Sequence, residues 1–408
     1  MNFEQVDVAG RQIGFEAPEN VREVIASLGR TEDVKFSPSN RRLAVVGHFT
    51  HKIAVFDLAI DPLRNPKSVI ITGVTEISSS DLRSPHGIDF IDDHRIIVAN
   101  RGGQACIFEI PTQAAGQCEL RPLAALKFNE ISSPGSVAVS KTEHGLYEAL
   151  ICNDYVNKVT RHRFSVGEQC SIKDDTVLLK KWIQFPDGIC VSKNREWIAV
   201  SNHDTHAIFL YKNDSSLNAS SAPDGVLAHY YPHGLRFTSA DRLLAATSAG
   251  SPYVNIYEAP DSDWRGVRKP TLSLKVLTNE DYLRARISRE DGGPKGIDIN
   301  KTMDVLAMTC EQHPLAFFDL GAILKNARLQ TNFASLQPER TFNSNSFVPL
   351  DWRRARTTLN VRYQLFLGKI TAAFTASVRW VLTKIPMLSW ALNRGRKLWN
   401  PQFQTKPF

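Results

Sequence analysis

The feature that most constrains this 408-residue chain is a turn-and-strand pattern that recurs six times along it. Its instances open at Glu32-Asp33-Val34-Lys35-Phe36, His86-Gly87-Ile88-Asp89-Phe90, Pro134-Gly135-Ser136-Val137-Ala138, Asp187-Gly188-Ile189-Cys190-Val191, His233-Gly234-Leu235-Arg236-Phe237 and Lys295-Gly296-Ile297-Asp298-Ile299. Asp33 and the five glycines lie 54, 48, 53, 46 and 62 residues apart in turn. Each opening leads to a second apolar run ending in a small or polar residue, such as Leu43–Gly47, Arg95–Asn100 or Trp197–Asn202, and then to a third. Short apolar runs bounded by Gly, Asn, Asp and Pro are antiparallel strands. Strand units of this length, repeated, predict the blades of a propeller. The fold class expected is all-β, a six-bladed β-propeller. The glycines have a structural reason, because innermost strands crowd together around the central channel and leave little room for a Cβ.

Residues 1–30 and 330–348 lack the glycine-anchored signature and are expected to close the ring by completing the last blade, giving a propeller over residues 1–348. In a four-stranded meander, the turn entering strand one and the loop between strands two and three share a face. The pre-glycine residues therefore ring one mouth of the channel: Glu32, His86, Pro134, Asp187, His233 and Lys295. The second-to-third loops add His48, Arg101, Asn153, Asp154, Asn202, His203 and Asp204. Four of the six ring positions are carboxylate or imidazole, the side chains that hold divalent metals. The competing reading is that such residues only cap turns, as polar residues at strand starts commonly do. Lys295 and Arg101 suit an anionic substrate as well as a solvated rim. The long stretch between blades five and six contains Asn279–Arg289, either a short helix forming a partial lid or a solvated insertion.

Net charge is +7, which in isolation suggests a nucleic-acid or membrane-surface protein. Its distribution says otherwise. Residues 349–408 carry eleven basic residues and one acid, Asp351, so the rest of the chain is slightly acidic at −3. In that tail Tyr363, Phe366, Leu367, Ile370, Phe374, Val378, Val381 and Ile385 recur at helical spacing, with Arg362, Lys369, Arg379 and Lys384 opposite. Lys369 and Arg379 interrupt it too closely for a span of ~20 apolar residues. A basic amphipathic α-helical tail is expected, docking to an anionic membrane surface or a membrane protein. No nucleic-acid partner is expected, since no such motif occurs.

The first residues show no secretory pattern. The six cysteines are sparse and form no CxxC pair, so a cytoplasmic setting is expected, peripheral at the inner membrane face if the tail binds lipid. There is no GxSxG, Walker or HExxH motif.

Over residues 31–320 the chain resembles six-bladed propellers of the NHL-repeat type and the senescence-marker/gluconolactonase-like family. In that family a divalent metal sits at the channel mouth. Its ligands are a Glu entering the first blade, an Asn before the Gly of a middle blade, and an Asp before the Gly of the next. The resemblance places Glu32, Asp187 and His233 at these positions, the last two altered. A Glu/Asp/His set favours Zn²⁺, Mn²⁺ or Fe²⁺ over Ca²⁺, since imidazole is a poor ligand for hard cations. The resemblance implies a metal that polarises a sugar-lactone-type carbonyl and delivers water, with Asp187 or Asp204 as general base. His86, Arg101, Asn153, Asn202, His203 and Lys295 would face a small-molecule or protein ligand at the mouth. The alternative is a non-catalytic propeller scaffold for protein–protein interaction.

Overall fold

The computed structural model describes residues 4–327, apart from 62–63, 65–66, 143–144, 168–169, 239 and 303. The predicted tail helix and the 330–348 segment lie outside the described residues. Six antiparallel sheets follow one another along the chain. Blade one runs Thr31–Phe36, Arg42–Gly47, Lys52–Asp61 and Ser68–Ser78; blade two Pro85–Asp92, Arg95–Asn100, Ala105–Glu109 and Ala124–Leu126. Blade three runs Pro134–Lys141, Tyr147–Asn153, Lys158–Val166 and Cys170–Leu179; blade four Pro186–Val191, Trp197–Asn202, Ala207–Lys212 and Gly225–Ala228. Blade five runs Pro232–Phe237, Leu243–Ser248, Tyr253–Glu258 and Leu272–Lys275; blade six, among the described residues, has three strands, Ile297–Ile299, Val305–Met308 and Ala316–Asp319. Each inner strand packs on the inner strand of the next blade, and the sixth returns to the first. The chain forms a six-bladed β-propeller.

Strand alternation explains how the blades cohere. In Arg42–Gly47, Leu43 and Val45 enter one apolar cluster with Val305, Ala307 and Phe317 of blade six. Ala44 and Val46 enter another with Ile88, Ile96 and Val98 of blade two. A period of two thus puts one strand's residues into two cores, and a strand covered on both faces reads as a continuous apolar run.

The seam between blades six and one carries an added fastening. Glu4–Asp7 pairs in parallel with Leu272–Lys275 on the outside of blade five. Ile13 bridges to Phe317 in blade six, and Phe15–Glu16 pairs in parallel with Val69 and Ile70 of blade one. The N-terminal segment therefore straps three blades together. The helix Glu19–Ser27 follows, burying Val21 and Ile25, one turn apart, in the same seam cluster.

The glycine anchors behave as their crowding requires. A Cβ on Gly87 would lie 2.6 Å from Ser136 Cα, and one on Gly296 would lie 2.6 Å from Asp33 Cα. Between blades five and six, Asn279–Ala285 forms a helix whose N-terminal Thr278 hydroxyl accepts from the Asp281 amide at 3.0 Å. Among the described residues no helix is long and apolar enough to cross a membrane.

Candidate metal centre

The inner strands bring four pre-glycine side chains together where their blades converge. His86 Nδ1 lies 2.7 Å from the Gly135 carbonyl and donates to it, which leaves Nε2 bare and turned inward. Glu32 Oε2 lies 3.4 Å from His86 Nε2 and 3.4 Å from His233 Nε2. All three atoms are buried, and none has a hydrogen-bond partner among the described residues. Candidate ligand atoms of Glu32, His86 and His233 lie within 4.8 Å of one another.

These three atoms fit a metal. A tetrahedral zinc with bonds of ~2.0–2.1 Å separates its ligand atoms by roughly 3.3 Å, close to the two Glu32 spacings. Leaving three buried polar atoms unpaired is otherwise costly. The cavity beneath them has a volume of about 10 Å³ and is lined by Glu32, Asp33, Lys35, His86, Asp187 and His233 among others. That is room for about one water-sized occupant.

Asp187 stands beside the trio. Its Oδ2 is 3.3 Å from His233 Nε2 and 3.5 Å from His203 Nδ1, and its Oδ1 is 2.5 Å from the Arg101 guanidinium. Arg101 also holds Asp154, at 2.6 Å. Burial alone would raise the Asp187 pKa, but His233, Arg101, His86 and His203 outweigh it and hold the carboxyl far below the usual range. Asp154 moves the other way: burial, with Asp187 and Glu32 nearby, pushes it well above the ordinary value despite Arg101. Burial resists charging Glu32 too, yet Lys295, His86, His233 and Arg30 keep it well below the usual carboxylate range. His86 is held well below an ordinary imidazole, by burial first and by Arg101 second. Burial lowers His203 to about 4. Neutral imidazoles beside an ionised carboxylate are the protonation states that metal ligation needs.

The clustered trio is not the set of Glu32, Asp187 and His233 named from the resemblance. His86, expected only to line the mouth, joins Glu32 and His233, whereas Asp187 has one oxygen taken by Arg101. Lys295 is at the site, its Nζ 3.5 Å from Glu32 Oε2. Asn153 and Asn202 are not: Asn153 Oδ1 accepts the Ser132 amide and Asn202 Oδ1 the Gln184 amide, both at 2.8 Å. Their side chains fasten their own loops, the turn-capping role weighed from sequence. Asp204 is exposed on the single turn His203–Thr205, with no side-chain hydrogen bond or ion pair among the described residues. Sequence reasoning missed Arg30, paired with Glu32, and Asp291, 3.6 Å from both Arg30 and Lys295. Neither lies in a repeat position, so no spacing flagged them. Glu290 Oε2 comes to 4.0 Å from His203 Nε2, so the end of the 279–291 stretch reaches the mouth.

No protein-family model matches the sequence, and no curated protein matches it. Among solved structures, the fold is similar to a luciferin-regenerating enzyme, with 10% identity, TM-score 0.46, and coverage of 72% of this chain and 92% of that one. It is also similar to a proposed 6-phosphogluconolactonase from Bacteroides uniformis, with 11% identity, TM-score 0.43, and coverage of 68% and 77%.

Proposed function

We propose that the channel mouth holds a divalent transition metal on Glu32, His86 and His233 and acts on an ester or lactone carbonyl. What carries this reading is the convergence, on a void the size of one small occupant, of three buried ligand atoms that make no hydrogen bond among the described residues. Two imidazoles and one carboxylate are a zinc-type donor set, equally open to Mn²⁺ or Fe²⁺, and poor for Ca²⁺. When bound, such an ion polarises a carbonyl and makes water nucleophilic near neutral pH.

The protein's own groups would do the rest. Asp187, fixed by Arg101, faces His203 Nδ1 and stays ionised, which makes it a weak proton acceptor and a strong electrostatic anchor beside the trio. His203 is neutral at pH 7; with Nδ1 toward the Pro232 carbonyl at 3.3 Å, its Nε2 is the accepting nitrogen, facing Glu290. Lowered to about 4, it is a hydrogen-bond acceptor rather than a strong base, whereas burial raises Asp204 above the ordinary carboxylate range.

Metal analysis of purified protein, followed by a panel of lactones and aryl esters, tests the reading. One equivalent of zinc, manganese or iron, and turnover lost with the metal in His86→Ala, are the expected results. Absence of metal after reconstitution, or turnover unchanged in His86→Ala, overturns it. A non-catalytic binding module would retain the metal and turn over none of the panel.

A further inference from the structure

The residue that precedes the Pro at the start of each inner strand adopts the same left-handed backbone in blades two to five. It is Ser84 (φ 52°), Ser133 (φ 51°), Phe185 (φ 46°) and Tyr231 (φ 42°). The fold thus requires this conformation, and blades two and three meet it with a small polar residue. Bulky side chains are disfavoured there, and such outliers concentrate where function demands them. Blades four and five nevertheless carry aromatic rings, so the choice is not made by the turn.

Those two rings flank one wall of the mouth. Phe185 and Tyr231 lie on either side of His203, with ring centroids 5.7 and 5.0 Å away. The Arg101 guanidinium sits 5.7 Å over Phe185, and Tyr155, 64% exposed, meets the Phe185 edge at 5.3 Å. Beyond Tyr231 stands Tyr230, 45% exposed. His203 and Arg101 both touch Asp187, so this wall is continuous with the metal trio. The side formed by Ser84 and Ser133 carries no such ring at that position.

We infer that the blade-four and blade-five side of the mouth seats the aromatic or flat apolar body of a small ligand whose polar end faces the trio. The pairing of ring faces with a partly exposed guanidinium favours a planar π-surface over a polyhydroxylated ring. The inference rests on the proposed function only for the polar end, an ester or lactone; combined, they make the substrate class aromatic lactones and aryl esters.

The test uses two hydrolysis-inert lactams of equal ring size, benzo-fused δ-lactam and glucono-δ-lactam, titrated calorimetrically into the full chain in EDTA. The benzo-fused probe should bind at least ~10-fold tighter than the polyol. Phe185→Ser and Tyr231→Ser install the residue that blades two and three use, and should cost at least ~10-fold in benzo-lactam affinity. Their melting temperatures should fall by no more than ~2 °C, because relief of the backbone offsets lost packing. Tyr155→Ser, at an exposed position, should weaken binding without disturbing the fold. Equal binding of the two lactams, or unchanged benzo-lactam affinity in all three variants, overturns the inference. Failure of the metal-loaded protein to hydrolyse any lactone, with lactam discrimination intact, refutes the hydrolase reading and leaves the aromatic seat standing.

Discussion

Two sets of buried charge are carried by the inner strands, and their partners differ in kind. In the first set each carboxylate is served by a backbone amide of a neighbouring blade. Asp33 accepts from Ile88 at 3.1 Å, Asp89 from Val139 at 2.7 Å, and Asp298 from Phe36 at 2.7 Å. The cations are paired as well, Lys35 with Asp33 at 3.0 Å and Arg236 with Asp298 at 2.6 Å. In the second set Glu32 Oε2, His86 Nε2 and His233 Nε2 make no hydrogen bond among the described residues and meet one another, Asp187 and Lys295 only at 3.3–3.5 Å. Buried polar groups satisfied by the next blade join the ring together; buried polar groups left facing a shared point await a ligand.

The largest effect should come from breaking the first set. Asp298→Ala leaves the Phe36 amide and the Arg236 guanidinium without their acceptor at the seam of blades five, six and one. It should cost about 3 kcal/mol, read from urea unfolding. An unchanged midpoint would show that the first set does not fasten the blades. The equivalent change in the second set should behave differently. Glu32→Gln should weaken zinc at least ~100-fold, while the metal-free protein loses less stability than Asp298→Ala does, because Arg30 and Lys295 each keep Asp291 as a counter-charge when Glu32 is neutralised. Loss of fold in the metal-free variant would make Glu32 structural and erase the distinction.

A smaller effect concerns Lys295, whose ammonium opposes a cation at Glu32. Lys295→Met should tighten zinc about tenfold in competition with a chelator, since like charge at this range is worth about one pKa unit. Weaker binding would mean that Lys295 helps to organise the trio. The smallest concerns Asp89, which burial raises from 3.8 to about 6, against the pull of Arg236 and Lys35. Because its folded pKa exceeds the unfolded one, its contribution to stability is fully present below pH 4 and is lost as pH rises through about 6. Asp89→Asn forfeits one of the two amide bonds from Val139 and Phe90 at every pH, and relative to the wild type it should therefore gain about 1 kcal/mol between pH 3.5 and pH 7. A stability difference independent of pH would exclude titration as its cause.

Much of this was legible in the chain. The six openings located every inner strand, since Gly-anchored turns and apolar runs are local signals; the structure's inner strands begin at or within a few residues of each. Glu32, Asp187, His233, His86 and Lys295 were all legible as mouth residues, because a blade's meander fixes which face its turns occupy. The ligand set was not. Asp187 and His86 have the same kind of position in the repeat, and Arg101, arriving from blade two, engages the first and leaves the second free. Asn153 and Asn202 shared the mouth face in sequence, but hydrogen bonds within their loops turned them away.

The seam shows the same division. Residues 1–30 carry no repeat signature, and their pairing with three separate blades follows from partners between 54 and 304 residues away. The aromatic wall was likewise hidden: Phe185 and Tyr231 are ordinary residues in sequence, and only their backbone, set against Ser84 and Ser133, makes them unusual.

The sequence by itself determined the repeat, hence the blade number, the channel and the residues at its mouth, because each depends on short-range turn and strand chemistry. Only the tertiary structure decided which mouth residues keep a bare atom. That choice depends on what each neighbouring blade offers across the channel, and burial makes every such pairing or lack of one energetically decisive.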